Sequence, residues 1–220
     1  FQTPGERGLL VRRQDFSVRN QLNQRVECSW WKPQDPTKDQ MPAVVFLHGN
    51  SSCRIDCLDL LTPALERDFT VVAVDFSGSG MSEGDYVSLG WQESFDIAAV
   101  NAFLCQQPEV SRVCLWGRSM GAVASLLFDR FSNLEGGSSG PHRNKVAAMV
   151  LDSPFASFAK LAQDLVNSGQ VSVPRFLFYI VLRFLRRSII KKSGLDIYKL
   201  NPIDMCEDFH TPVYFGVATN

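Results

Sequence analysis

The residues best suited to chemistry lie at Gly117-Arg118-Ser119-Met120-Gly121, a fit to the pattern G-x-S-x-G. A serine becomes a usable nucleophile on a sharp strand-to-helix turn. Small flanking residues let the backbone bend there, and the helix N-terminus offers free N–H groups. Ser119 has an apolar run, Val113–Trp116, just before it and a small-residue helical stretch, Ala122 to about Phe131, just after it. Two other stretches fit the same pattern. Ser82 (Gly80 to Gly84) follows a loop, and Ser138 (Gly136 to Gly140) sits in a polar loop with no strand before it. Context therefore selects Ser119 as nucleophile, with Gly117 and Gly121 as the residues that permit its turn. The second element is His48-Gly49-Asn50, which follows the apolar run Ala43–Leu47. Acyl transfer needs two N–H donors aimed at the developing oxyanion. Met120, after the nucleophile, would supply one. Asn50 would supply the other, with Ser51 as runner-up, and Gly49 allows close approach. His48 reads as a brace for this loop.

The elements that must hold these residues alternate regularly. Phe16–Arg19 and Arg25–Trp31 read as antiparallel strands around a polar turn at Asn20–Gln24. Ala43–Leu47, Thr70–Val74, Val113–Trp116, Val146–Leu151 and Pro212–Val217 are short, almost wholly apolar runs, the mark of strands buried on both faces. Helical stretches lie at 54–67 and 91–107. In the second, Trp91, Phe95, Ala98, Ala99, Ala102 and Phe103 form an apolar stripe at helical spacing, and Pro108 ends it. Strands alternating with helices predict an α/β fold: a mostly parallel twisted sheet, helices on both faces, and the two leading strands as an antiparallel edge. The block 155–200 interrupts the alternation with two or three helices and reads as a helical cap.

Composition narrows the function classes. With 220 residues, 45% hydrophobic, the chain can build one continuous core, which excludes a disordered or collagen-like polypeptide. A net charge of −1 argues against nucleic acid as partner. The six cysteines include Cys53 and Cys57, a pair without the second pair that a zinc site would need, so no metal and no cofactor is expected. Cys105 and Cys114 lie in apolar runs and read as small core hydrophobes. Reduced, structural thiols point to a cytoplasmic protein.

The run HGN at 48–50, DFSGSGMSEG at 75–84, LWGRSMGA at 115–122 and VLDSPF at 150–155, in this order, resembles the α/β-hydrolase superfamily. Within it the likeness is to the serine aminopeptidase and monoacylglycerol-lipase-like branch, and most of all to uncharacterised plant and protist members. It extends from about residue 15 to 220. The resemblance implies Ser119 as nucleophile, the N–H groups of Asn50 and Met120 as oxyanion hole, and residues 155–200 as a cap over an acyl pocket within one domain spanning 1–220.

That superfamily orders its triad as nucleophile, acid, histidine. The three histidines do not complete it. His48 precedes the nucleophile and belongs to the oxyanion loop, while His142 and His210 enter strands at the opposite edge of the sheet. Asp152, at the carboxyl end of a strand, is an alternative acid, although a turn-and-cap role suits it better. Asp75 has a similar place and reads as a residue that fixes the glycine-rich loop. The expectation is a chain incomplete at its C-terminus, with acid and histidine encoded beyond residue 220 and the 220 residues inactive alone. The parent would hydrolyse an ester, thioester or amide of a small apolar acyl substrate. A non-catalytic fold that binds a ligand or protein is the alternative. Residues 174–192 carry six basic side chains among apolar ones. They read as a cap helix first and as a peripheral membrane contact second.

Overall fold

The computed structural model describes residues 10–36, 38–134, 146–158, 160, 183–184, 186–187, 190–191, 201–204 and 211–217. Contacts divide the chain into two units, Phe1–Pro154 with Asp208–Asn220, and Phe155–Glu207. The described part of the first unit holds β1 (Val11–Arg19), β2 (Arg25–Pro33), β3 (Met41–Leu47), a 3-10 turn (Arg54–Cys57), α1 (Leu58–Leu65) and β4 (Thr70–Val74). It continues with α2 (Glu93–Cys105), β5 (Val110–Arg118), α3 (Met120–Leu134), β6 (Val146–Asp152) and β7 (Val213–Gly216). The strands form one sheet in the order β1-β2-β4-β3-β5-β6-β7. β1 and β2 are antiparallel, and β3 to β7 run parallel. This is the mixed, mostly parallel α/β sheet that the strand–helix alternation predicts.

The two faces of the sheet carry different cores. Val45, Leu47, Val72, Val74, Leu115 and Leu151 bury against the side that α2 and α3 cover. Phe46, Val71 and Ala73 pack on the other side with Leu61, Ala64 and Leu65 of α1. Beyond α1 this second face continues into an apolar cavity of about 370 Å³, bordered by Leu60, Pro63, Cys114, Trp116, Ala148 and Val150. At the β7 edge Tyr214, Phe215 and Val217 are exposed.

Several elements depart from the sequence expectation for physical reasons. β1 begins at Val11, five residues before Phe16, because its polar start is tied by side chains: Arg13 Nε donates to Asp15 at 2.8 Å, and Ser29 Oγ donates to Asp15 at 2.6 Å. The turn at Asn20–Gln24 is as expected, with Asn20 Oδ1 accepting the N–H groups of Leu22 and Gln24. In α2 the buried face is Glu93, Ser94, Asp96, Ile97, Val100, Asn101 and Leu104, and the apolar stripe through Trp91, Phe95 and Ala98 is half-buried or exposed. Cys105 and Cys114 are half-buried rather than core, and the five described cysteines are free thiols.

Of the second unit, Ser157 Oγ accepts the Lys160 N–H at 3.1 Å, and Ile203 N–H bonds the Ala156 carbonyl at 3.1 Å. Arg183, Phe184, Arg187, Ile190 and Lys191 are exposed. Most of the block 155–200 lies outside the described residues, as do most of 174–192, His142, His210, Ser138 and Cys206. Among the described residues no helix is long and apolar enough to cross a membrane.

Candidate active site

Ser119 lies between the end of β5 and the start of α3 with φ +50°. A non-glycine residue in this left-handed region is strained by about 1–2 kcal/mol, so neighbouring structure must hold it. Two backbone bonds do so. Ser119 N–H donates to the Asp152 carbonyl at 2.7 Å, and Val123 N–H donates to the Ser119 carbonyl at 3.1 Å. The flanking glycines are obligatory for space. A Cβ on Gly117 would stand 2.4 Å from the Gly121 carbonyl oxygen, and one on Gly121 would stand 2.2 Å from that of Leu47. The turn is therefore pressed against the end of β3, where the other candidate residues begin.

The loop after β3 meets this turn directly. The Cβ position of Gly49 is 3.7 Å from Ser119 Cβ and 3.6 Å from the Arg118 carbonyl oxygen. Asn50 follows in an exposed turn, and Ser51 has φ +60°. Met120 opens α3 and is almost fully buried. Its N–H belongs to the first turn of the helix, where no intrahelical partner is available.

His48 is fully buried and committed at both ring nitrogens. Nε2 accepts the Phe76 N–H at 3.1 Å, so the ring proton sits on Nδ1, which donates to the Gly49 carbonyl at 2.7 Å. Burial pulls its pKa below the usual histidine value, which keeps the ring neutral. A ring so engaged joins the start of the 48–50 loop to the end of β4 and has no lone pair left for a serine proton.

Asp152 stands beside the elbow, since Arg118 and Asp152 are register partners across β5 and β6. Its carboxylate accepts Ser153 Oγ–H at 3.0 Å, lies 3.8 Å from Arg118 Nε and is 45% exposed. Asp75, by contrast, is 2% exposed and accepts two backbone N–H groups, from Arg54 at 2.7 Å and Met81 at 3.0 Å. Ser82, the second G-x-S-x-G serine, spends its hydroxyl on structure. It donates to the Asp75 carbonyl at 2.6 Å and accepts the Glu27 N–H at 2.8 Å.

The sequence reading missed two buried carboxylates behind the loop that joins β4 to α2. Glu93 accepts Ser88 N–H, Ser88 Oγ–H and Gly90 N–H at 2.6–2.8 Å. Asp96 accepts Ser77 N–H, Ser77 Oγ–H and Asn20 Nδ2–H at 2.7–2.8 Å. Burial pushes the Asp96 pKa up to about 6, against the lowering pull of these donors. The pair holds the loop whose Gly90 packs on Val123 and Ala124, one turn into the helix behind Ser119. Glu93 lies five residues after Ser88, outside the three-residue spacing of a capping box, so no local pattern in the sequence marks the pair.

Comparisons with known proteins bear on this arrangement. The model of the alpha/beta hydrolase family matches residues 44–212. The human protein ABHD12B is 27% identical over 133 residues, which are 60% of this chain and 34% of that protein. The Pyrococcus furiosus esterase Pf2001 has a similar fold, with a TM-score of 0.61 and 22% identity over 93% of this chain and 68% of that one. The acetyl xylan esterase from Paenibacillus sp. R4 has a TM-score of 0.65 and 14% identity, over 93% of this chain and 68% of that one. The chain thus matches about a third of the length of its human relative. On the family match, which spans both the 48–50 loop and the Ser119 turn, the chain belongs to the alpha/beta hydrolase family.

Proposed function

We propose that this chain carries the nucleophile and oxyanion hole of a serine hydrolase acting on an ester, thioester or amide of an apolar acyl substrate. It would belong to the serine aminopeptidase and monoacylglycerol-lipase-like branch of the family. The observation that carries the reading is Ser119 at φ +50°, with Gly49 at 3.7 Å from its Cβ. In this mechanism Ser119 Oγ attacks the acyl carbon and its proton passes to a base. The N–H groups of Asn50 and Met120 bind the oxyanion. The alcohol, thiol or amine then departs with the proton, and water hydrolyses the acyl-serine. Each oxyanion donor is worth about 10²–10³ in rate. Two of the similar structures are named esterases, which favours an ester over an amide.

The base comes from outside the described residues, since His48 is committed at both nitrogens, and Asp152 beside the elbow is the alternative acid. The basic run 174–192 is a peripheral membrane contact of a cytoplasmic enzyme only in the second reading of that segment. A fluorophosphonate probe tests the mechanism. Labelling of the full-length protein, lost in Ser119→Ala, is the expected result, with slow labelling of the 220-residue chain alone. A full-length protein whose Ser119 stays unlabelled would favour the alternative, a non-catalytic ligand- or protein-binding fold. The engaged histidine is the observation that keeps this alternative in view.

A further inference from the structure

The loop bearing Asn50 is held at both ends by consecutive residues of one other segment. At its near end His48 Nε2 takes the Phe76 N–H at 3.1 Å. At its far end Asp75 Oδ1 takes the Arg54 N–H at 2.7 Å, and Arg54 Nε lies 3.5 Å from Asp75 Oδ2. Asn50 and Ser51 sit between these anchors. The same carboxylate takes the Met81 N–H at 3.0 Å, so its two oxygens tie the oxyanion loop to the glycine-rich loop. The packing around it admits nothing larger, since a Cβ on Gly80 (φ +56°) would fall 2.2 Å from the Asp75 carboxyl carbon. The Arg54 side chain is 14% exposed, and its Nη1 is buried without a hydrogen-bond partner. The guanidinium therefore has Asp75 as its counter-charge.

We propose that Asp75 is a positioning residue for the oxyanion hole, fixing the Asn50 N–H by clamping the far end of the 48–54 loop. This rests on the reading of Ser119 and Asn50 given above. A carboxylate suits the task because it can accept from two backbone N–H groups in different loops at once. The amide of Asn has one acceptor oxygen and would turn an NH₂ toward one of them. The serine turn itself is held by separate bonds, to Asp152 and Val123. Loosening Asp75 should therefore misplace the oxyanion donor without moving the nucleophile, a transition-state defect rather than a binding defect.

The test uses the full-length protein and an ester substrate. Asp75→Asn is expected to lower kcat about 10–100-fold with KM within about threefold, since one oxyanion donor is misplaced. It should also speed amide exchange in residues 49–54. Arg54→Pro removes the same N–H at the first residue of a helical turn, where proline is accommodated, and should lose kcat alike. Ser82→Ala removes the hydroxyl bonds to the Asp75 carbonyl and the Glu27 N–H and leaves the Asp75 carboxylate bonds to Arg54 and Met81 intact. It should lower Tm while keeping kcat within about twofold, as an interaction outside the transition state would. Wild-type kcat in Asp75→Asn or Arg54→Pro overturns the inference, as does a kcat loss in Ser82→Ala that tracks Tm like the other two. Ser119→Ala is the separate control. Wild-type turnover in that variant sinks the serine mechanism itself, whereas an inactive Ser119→Ala beside a fully active Asp75→Asn sinks only the positioning role.

Discussion

Gly121→Ala puts the elbow geometry to a quantitative test. The new Cβ would lie 2.2 Å from the Leu47 carbonyl oxygen, 2.7 Å from its carbon and 2.9 Å from the His48 oxygen. A carbon beside a carbonyl oxygen settles at about 3.3 Å or beyond, so α3 and β3 must part by about 1 Å. Both sides of the clash are backbone, one in the sheet and one in a helix, and neither has a rotamer to change. The cost should reach the upper end for overpacking, about 3 kcal/mol. For a chain of this size that is a fall in Tm of roughly 6–12 °C. The functional cost follows from the same displacement. Ser119 and Met120 move away from the Asn50 loop, and a misplacement of about 1 Å costs about 100-fold in rate. Thermal melting followed by circular dichroism, and the fluorophosphonate labelling rate of the full-length protein, read the two effects. Gly49→Ala is the matched control for stability. Its Cβ would meet the Arg118 oxygen at 3.6 Å and Ser119 Cβ at 3.7 Å, ordinary contacts, and its Tm should stay within about 2 °C of wild type. A Gly121→Ala protein that melts and labels like wild type would refute the claim that the elbow leans on the end of β3.

Asp96 gives a pH prediction. Its folded pKa of about 6 lies above the unfolded 3.8, so its contribution to stability is fully present below pH 3.8 and is lost as pH rises through 6. Urea titrations at pH 4 and pH 7 should show the stability of wild type falling relative to Asp96→Asn by about 2 kcal/mol, because the unfolded carboxyl is already half ionised at pH 4, and a flat difference would contradict it. Asn20→Ala removes the Nδ2 donor to Asp96 and the Oδ1 acceptor of the β1–β2 turn together, and should cost about 2–3 kcal/mol in the same titrations. Cys57 is fully buried, with its thiol pushed up to about 12 by desolvation, and burial raises Cys28 as well. Mass spectrometry after iodoacetamide at pH 8 should find both unmodified in the folded protein and alkylated in urea.

What could be read from the sequence depended on whether burial coincided with apolarity. The runs Ala43–Leu47 and Thr70–Val74 are apolar because both faces of those strands are covered, and their positions as strands matched the fold. The start of β1 was hidden because Arg13, Gln14 and Asp15 carry a strand through pairing with β2 rather than through a buried face. In α2 the expected face failed outright. Glu93 and Asp96 turn inward because the loop before them has backbone N–H groups to satisfy, and this outweighs the pull of Trp91 and Phe95 toward the core. At the site, the turn around Ser119 and the loop after β3 were legible because glycine spacing and local order are sequence properties. The partners of His48 and Asp75 were not, since Phe76 lies 28 residues from His48 and Arg54 lies 21 from Asp75. Residues so far apart in the chain meet only through the sheet order.

The turns that follow β5, β6 and β7 are stitched in series by main-chain bonds. Ser119 N–H reaches the Asp152 carbonyl, and Ser153 N–H reaches the Gly216 carbonyl. Neither bond uses a side chain. The side chain at 152 can therefore be exchanged in evolution or in a library while the support beneath Ser119 persists, whereas position 153, at φ +53°, is held to residues that tolerate the left-handed region. A lineage is free to rewrite the chemistry and charge of this rim, and hence what approaches the serine, at little cost to the turn that holds it.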